Sequence, residues 1–227
     1  MNEGLIDILV VGGTYTYYSI DTEQWAAMAR PHDIPVYACM YRPQGIERDR
    51  ARSVYHMSHG AAGMYVFNWL RNPAEELPAL REIGNVQVMA RRDKHYVMNG
   101  PFKTLGFRHV LPEHLPVPVR LEHGEWRTAT LRIGDDVQTA AVEEALATMT
   151  LQLTLQNFSP ENDKLIVQLN GHTLDAPAWE ESQVLFEVDA PPLMRHDNRV
   201  SIFLDRGTPT AATPVRVTGV ELRIRYR

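Results

Sequence analysis

The chain has 227 residues, of which 44% are hydrophobic and 22% charged, and its formal net charge is −5 at pH 7. This composition is typical of one large or two small globular domains with a sizeable core. The lack of a basic excess argues against nucleic acid as a partner, and no apolar run reaches the ~20 residues needed to cross a bilayer. The single cysteine, Cys39, excludes an internal disulfide. We expect no signal peptide in MNEGLIDILVVGG, and the sequence leaves the localisation open.

Strands and helices alternate in the first part of the chain. The predicted strands cover residues 5–11, 35–40 and 63–70. Asp21 is a good N-cap for a first helix, Gly60 closes a second, and a third follows Pro73. The first strand is nearly continuous in apolar residues, which is typical of a strand covered on both faces. The order β-α-β-α-β-α predicts a parallel sheet with right-handed crossovers.

The sequence pattern changes after about residue 94. Residues 149–155 alternate between large apolar residues and Thr or Gln, as in a half-buried strand, and Asn170-Gly171 is a typical hairpin turn. Further strands are predicted over residues 117–121, 128–133, 165–169, 184–188, 199–204 and 215–226. Short strands separated by turns predict an antiparallel β-sandwich or jelly roll. We therefore expect an α/β part over residues 1–93 and an all-β part over residues 94–227.

Several segments resemble the last part of glycoside hydrolase-like TIM barrels, most closely the group called glycosyl hydrolase-like 10. The segments are LIDILVVGG, IPVYACMY and AAGMYVFNWL, followed by LREIGNVQVMARRDKHYV. The matching positions are Gly63, Tyr65, Phe67 and Asn68 in the final barrel strand, then residues 80–84, Asp93, Lys94 and Tyr96 in the connection to a C-terminal sandwich. That sandwich resembles galactose-binding-like carbohydrate modules.

The resemblance implies a partial (β/α)8 barrel whose last three strands are present here. A full barrel takes ~250 residues and its strands close on one another. We therefore expect a fragment, a truncated product or one piece of a split protein. Its exposed sheet edge would pair with the missing barrel portion or with another copy of the chain. The alternation of strands and helices alone equally allows a small three-stranded α/β layer.

The C-terminal ends of the predicted parallel strands are the expected binding site, because ligands bind there in parallel α/β folds. The candidate substrate-binding residues are Asn68, Trp69, Tyr41, Arg42 and Tyr15. Trp69 offers a flat ring on which a sugar can stack, or it packs under the following helix. Asn68 either bonds a sugar hydroxyl or caps the turn before Pro73.

Catalytic residues are not evident in the sequence. Glycoside hydrolysis needs two carboxyl groups that flank the scissile bond, and no Asp or Glu stands at a predicted strand end. Asp21 and Glu47 follow the first and second strands, where a helix cap and a solvated loop charge explain them. The resemblance implies that a catalytic pair would lie on the missing strands. We expect this chain alone not to hydrolyse a glycoside.

The sequence indicates neither a cofactor nor a metal site. Gly12 and Gly13 lie outside any dinucleotide-binding or Walker pattern, and the histidines show no metal-ligand spacing. Asp135-Asp136 fits either a calcium-binding turn or an Asx turn. The function expected is that of a glycoside hydrolase-like fragment that acts on or binds carbohydrate. The alternatives are a non-catalytic carbohydrate-binding or scaffolding protein, and a small α/β ligand-binding domain complete as it stands.

Overall fold

The structure, a computed structural model, describes residues 4–12, 20–70, 72–99, 117–175, 177–206 and 213–227. These residues adopt a β-rich α+β fold, in which a three-stranded parallel sheet precedes two antiparallel sheets. None of the described helices is long and apolar enough to cross a membrane.

The first part of the chain forms the parallel sheet and its helices. Its elements are β1 (Leu9–Val11), α1 (Thr22–Ala29), β2 (Val36–Tyr41), α2 (Ile46–Ser58), β3 (Gly63–Phe67), α3 (Pro73–Leu80) and α4 (Val86–Met89). β2 lies in the centre and pairs in parallel with β1 and β3. The predicted order of elements and the parallel pairing are confirmed. The described strands form an open sheet, and they do not show a partial barrel.

Both outer strands are shorter than predicted. β1 begins only at Leu9, because Leu9 already pairs with Val36, the first residue of β2, and earlier residues have no partner on that strand. β3 ends at Phe67, because the backbone of Asn68 is left-handed, with φ of 59°. The predicted start of the first helix and end of the second are confirmed, whereas the third helix, expected to end at Gly84, ends at Leu80. Asp21 accepts a hydrogen bond from Gln24 N at 3.0 Å, and Gly60 has φ of 93° just after α2.

The remainder of the chain forms two antiparallel sheets. Its elements are β4 (Lys94–Asn99), β5 (Val119–Leu121), β6 (Trp126–Ile133), α5 (Val137–Val142), β7 (Leu146–Gln156), β8 (Asp163–Leu169), β9 (His172–Thr173), β10 (Ala178–Glu180), β11 (Gln183–Glu187), β12 (His196–Arg206) and β13 (Val215–Tyr226). One sheet has the order β10-β11-β7-β13-β4 with β5 beside β13, and the other has the order β6-β12-β8-β9. Their inward residues share one core, so the predicted antiparallel part is confirmed.

The helix α2 lies against both parts of the molecule. Its residues Ala51 and Tyr55 belong to the core of the antiparallel sheets. Gly134 follows β6, and a Cβ atom there would lie 2.5 Å from Val54 O and 2.6 Å from Tyr55 N. Only glycine therefore allows the helix backbone to approach this closely. The division into parts at residues 93 and 94 remains a prediction.

One face of the parallel sheet is not covered by the described helices. Residues that pair across a parallel sheet project to the same face of it. On one face, the alternate residues Val36, Ala38 and Met40 of β2 are buried. On the opposite face, Tyr65 and Phe67 are 45% and 47% exposed. The outward Val10, Tyr37, Cys39 and Tyr41 share this face with them. The prediction that the first strand is covered on both faces is therefore wrong for the described residues.

Candidate functional site

Four of the five predicted site residues lie together at the C-terminal ends of β2 and β3. Tyr41 ends β2, and its ring centroid lies 5.7 Å from that of Phe67, which ends β3. The guanidinium carbon of Arg42 lies 5.3 Å from the centroid of the Tyr41 ring. Asn68 and Trp69 follow directly on β3. The fifth predicted residue, Tyr15, lies outside the described residues.

The backbone at these strand ends adopts unusual conformations. Arg42, Asn68 and Leu70 have φ of 56°, 59° and 71°, in the left-handed region. Asparagine tolerates this region, whereas arginine and leucine rarely adopt it. Such residues persist only where the surroundings hold them, and they concentrate at functional sites. Arg42 N donates to Phe67 O at 2.9 Å, which joins the two loops.

Trp69 fastens the loop after β3 to the neighbouring strand. Its indole Nε1 donates to Met40 O at 2.9 Å, and the side chain is half-buried. The polar edge of the ring is therefore used internally, as is usual for a tryptophan that is half-buried. Asn68 is exposed at the turn, while the N-cap position of α3 is Asn72.

Two buried carboxylates, which the sequence did not reveal, support these loops. Asp49 on α2 accepts hydrogen bonds from Gln44 N at 3.1 and 3.2 Å and from Arg52 Nη1 at 3.0 Å. Burial raises the pKa of Asp49 to about 6, although the Arg52 charge acts in the opposite direction. Glu76 on α3 accepts from Leu70 N and from Asn72 N.

These carboxylates position the strand-end loops rather than face an open cleft. Asp49 holds the loop after β2, and Glu76 holds the loop after β3. Arg52 also donates to Arg42 O at 3.0 Å, so it links Asp49 to the strained residue itself. The spacing of Asp49 and Arg52 on one helix, three residues apart, is the signal that the sequence offered. The backbone N–H groups that donate to Asp49 and Glu76 reach these carboxylates only in the folded loops, so the sequence does not indicate them.

The remaining acidic candidates also have structural partners. Asp21 caps α1, as predicted. Glu47 was predicted to be a solvated loop charge, which is wrong, because it lies in the first turn of α2 and forms an ion pair with Arg225 of β13. Asp136 caps α5 by accepting from Thr139 N at 3.0 Å.

Asp135 is the centre of a buried polar network. It accepts from Lys94 Nζ at 2.9 Å, from the Tyr96 hydroxyl at 2.5 Å and from the Tyr226 hydroxyl at 2.7 Å. Its neighbour Asp136 is used as a helix cap, so the two aspartates do not form a calcium-binding turn. Among the described residues, no group of three or more His, Cys, Asp or Glu side chains could hold a metal ion.

Exposed aromatic residues on the antiparallel sheets form further surface features that the sequence analysis missed. Trp126 and Phe203 lie on the outer face of the four-stranded sheet, with ring centroids 5.4 Å apart. Phe158 and Trp179 stack at 5.1 Å elsewhere on the antiparallel part. The sequence of β6 itself indicates that Trp126 lies on the surface. Ala129 and Leu131 are buried, so the residues that alternate with them along the strand, which include Trp126, project outward.

No protein-family model matches the chain, and no curated protein matches it in sequence. Among solved structures, the chain is similar to a β-porphyranase of glycoside hydrolase family 86 from the human gut bacterium Bacteroides plebeius, with 16% identity and a TM-score of 0.35. That match covers 48% of this chain and only 19% of the β-porphyranase. The chain is also similar to FlhE, with 10% identity, a TM-score of 0.34, and coverage of 60% of this chain and 98% of FlhE. Likenesses this distant do not assign a family.

Proposed function

We propose that this protein binds carbohydrate at the C-terminal ends of β2 and β3. The observation that carries the proposal is the strand-end cluster of Tyr41, Arg42 and Phe67, in which an aromatic pair lies beside a guanidinium group. Sugar rings present apolar C–H faces that pack on aromatic rings, and hydroxyl groups that accept hydrogen bonds from guanidinium donors. Asn68, Trp69 and Tyr15 complete the proposed site.

Binding without hydrolysis is the proposed activity of this chain alone. A glycosidase needs two carboxyl groups that reach the glycosidic bond. Asp49 and Glu76 are buried, and each is hydrogen-bonded to the backbone of a strand-end loop. They hold the loops in place, so we assign them a positioning role.

The α/β part is proposed to be the last part of a glycoside hydrolase-like barrel. The uncovered face of the parallel sheet supports this, because in such a barrel the helices lie outside and the opposite face of every strand packs in the interior. Tyr65 and Phe67 would then belong to the barrel interior. Each of β1 and β3 also pairs with only one strand among the described residues.

A scaffolding role is the second candidate, and the same uncovered face favours it. A contiguous apolar face with unpaired strand edges is a typical association surface. Its proposed occupant is the remainder of the proposed barrel or a second copy of the chain. We expect sedimentation velocity to show self-association that increases with protein concentration and is weakened by Tyr65→Lys. A monomer at all concentrations contradicts self-association.

The carbohydrate proposal is tested by affinity electrophoresis in native gels that contain one polysaccharide each. Arg42→Gly removes the guanidinium group at a position where glycine relieves the left-handed backbone, so binding changes without loss of stability. Phe67→Ala removes half of the aromatic pair. We expect each variant to bind about tenfold more weakly, since truncating an aromatic or arginine anchor typically costs at least that much.

Trp179→Ala is the matched control, because it removes an exposed aromatic ring far from β2 and β3 in the chain. Its retardation should equal that of the wild type. Wild-type protein that no polysaccharide retards contradicts carbohydrate binding. Retardation that Arg42→Gly and Phe67→Ala leave unchanged contradicts the strand-end site.

A further inference from the structure

We propose a second carbohydrate site on the outer face of the β6-β12-β8-β9 sheet, one that binds an anionic oligosaccharide. The inference rests on the proposed carbohydrate-binding function, but it uses residues of the antiparallel part only. We call this surface the outer-sheet platform, defined by Trp126, Ser201, Phe203, Gln168 and Arg199.

The strand register places these side chains on one face. Val200 and Ile202 of β12 are buried in the core, so the alternate residues Arg199, Ser201 and Phe203 project outward. β12 lies between β6 and β8. A residue of β6 or β8 that pairs with an outward residue of β12 therefore projects from the same outer face of the sheet. The platform therefore consists of successive cross-strand rows, each with its own chemistry.

The first row is apolar. Trp126 is paired with Phe203, their ring centroids are 5.4 Å apart, and Trp126 is 45% exposed. On the other side of Phe203 lies its β8 partner Ile166, which is 41% exposed. Two aromatic rings and an aliphatic side chain form a surface that suits the C–H face of a sugar ring.

The second row is polar and uncharged. Ser201 is paired with Thr128 on β6 and with Gln168 on β8. The Thr128 and Ser201 hydroxyl oxygens are 3.5 Å apart, and Gln168 Nε2 lies 3.4 Å from the Thr173 hydroxyl. These contacts are long for hydrogen bonds, and Ser201 is only 7% exposed. The groups of this row that remain open to a ligand are therefore the hydroxyl of the exposed Thr128 and the amide of the half-buried Gln168.

The third row supplies a positive charge. The backbone of Arg199 is fixed by Asn170, whose N–H donates to Arg199 O at 2.9 Å and whose side-chain oxygen accepts from Arg199 N at 2.8 Å. The Arg199 side chain is exposed, and within the described ranges its guanidinium has no ion pair. The nearest outward acidic residue along the strand, Asp197, is instead paired with Arg132 at 3.2 Å.

The three rows enclose an open hollow without acidic residues. Its volume is about 580 Å³, and it is lined by Trp126, Gln168, Asn170, Gly171, Arg199 and Ser201. The hollow is therefore a local positive site on a chain whose formal net charge is −5. A guanidinium group bonds carboxylate or sulfate oxygens through two parallel N–H donors. This charge complementarity is the reason for assigning a sugar that carries an acidic group.

The length of the platform indicates an oligosaccharide rather than a single sugar. Arg199 and Phe203 are four residues apart on one strand, which corresponds to about 13 Å at ~3.3 Å per residue. This distance exceeds the width of one pyranose ring. A ligand of two or more units can therefore stack one unit on Trp126 and present an acidic group of the next unit to Arg199, since both residues line the same hollow.

The test uses the full chain in native gels that contain carrageenan, which is sulfated, polygalacturonate, which is carboxylated, or a neutral galactomannan. We expect retardation by at least one of the two anionic polysaccharides, against the repulsion from the net negative charge. Trp126→Ala and Arg199→Gln should each weaken that binding about tenfold, and added salt should weaken it further. The matched controls are Trp179→Ala and Arg216→Gln, which alter an exposed tryptophan and an exposed arginine of the other sheet.

The outcomes separate this proposal from the strand-end site. Loss of binding in Trp126→Ala and Arg199→Gln, with both controls unchanged, supports the platform. An equal loss in Arg199→Gln and Arg216→Gln indicates unspecific ion exchange and overturns it, as does binding to galactomannan alone. Loss in Arg42→Gly and Phe67→Ala without loss in Trp126→Ala overturns the platform and leaves the strand-end proposal intact.

Discussion

The two parts of the molecule differ in how they form a core. The antiparallel sheets enclose one large core, to which both sheets and α2 contribute fully buried residues. The parallel part has a small separate cluster, consisting of Val11, Ile20, Ala29, Ile34 and Val36, and its sheet is open on one face. A part this small, with so few buried residues of its own, buries little apolar surface by itself. The parallel part therefore depends on its attachment to the antiparallel part.

That attachment combines the apolar packing of α2 with a buried polar network. Lys94 at the start of β4 is fully buried, and its Nζ donates to Met89 O at 2.7 Å, to Arg92 O at 2.9 Å and to Asp135 at 2.9 Å. Burial lowers the pKa of Lys94, although the charge of Asp135 opposes this effect. Because the network connects the segment after α4 to both antiparallel sheets, it joins the two parts of the chain.

The largest effect is expected for Lys94→Met. It removes one partner of a buried ion pair and leaves the Asp135 carboxylate without its countercharge, which typically costs about 3–5 kcal/mol of unfolding free energy. Urea unfolding measures the loss. The matched control is Lys164→Met at an exposed lysine, for which we expect a change within about 0.5 kcal/mol. Equal stability of the two variants would show that the network does not hold the parts together.

The second prediction concerns pH and the strand-end loops. The pKa of Asp49 is raised to about 6, so the folded protein binds a proton there more readily than the unfolded chain does. The stability from this group is present below about pH 4 and is lost as the pH rises through 6. Relative to the wild type, Asp49→Asn should therefore gain up to about 3 kcal/mol between pH 4 and pH 7.

Urea unfolding of both proteins at several pH values measures this difference. His56 has the opposite dependence, because burial lowers its pKa to about 3 and its protonation destabilises the fold as the pH falls below about 6.5. This contribution is common to both proteins, so it cancels in the difference to first order. A difference that stays constant from pH 4 to pH 7 contradicts the raised pKa of Asp49.

The third prediction concerns the contact of α2 with Gly134. Gly134→Ala places a Cβ atom 2.5 Å from Val54 O, so the helix must shift, at a cost of about 1–3 kcal/mol. Hydrogen exchange should show faster exchange of α2 amides and unchanged protection in β7. Gly84→Ala is the control, because no atom lies within 4 Å of its added Cβ. Equal exchange in α2 for both variants contradicts the dependence of this helix on the close approach.

Local signals explain which features the sequence predicts. Asp21 and Gly60 act within one turn of their own helices, and the Asn170-Gly171 turn depends on two residues with φ of 50° and 87°. These features need no knowledge of distant contacts. β4 was missed because its first residue is the buried, charged Lys94, whose partner Asp135 is far away in the sequence.

The site residues, like the helix ends and the turn, were predicted only where a local signal was sufficient. Tyr41 and Trp69 were predicted from their positions at strand ends, because strand order in a parallel sheet brings such ends together. The loop-supporting roles of Asp49 and Glu76 depend on backbone N–H groups whose direction only the folded loops define. The outer-sheet platform was missed because only the register between β6 and β12 places Trp126 and Arg199 on one face of the sheet.

The smallest effect is expected for Trp69→Phe, which keeps an aromatic ring and removes the hydrogen bond to Met40 O. The loss of one such bond costs about 1 kcal/mol. The exposed Trp179→Phe is the control, and its unfolding free energy should stay within about 0.5 kcal/mol of the wild type. If both variants unfold alike in urea, Trp69 does not fasten the loop. If only Trp69→Phe is destabilised, a single bond at the strand ends has a measurable effect, because the parallel part has so small a core of its own.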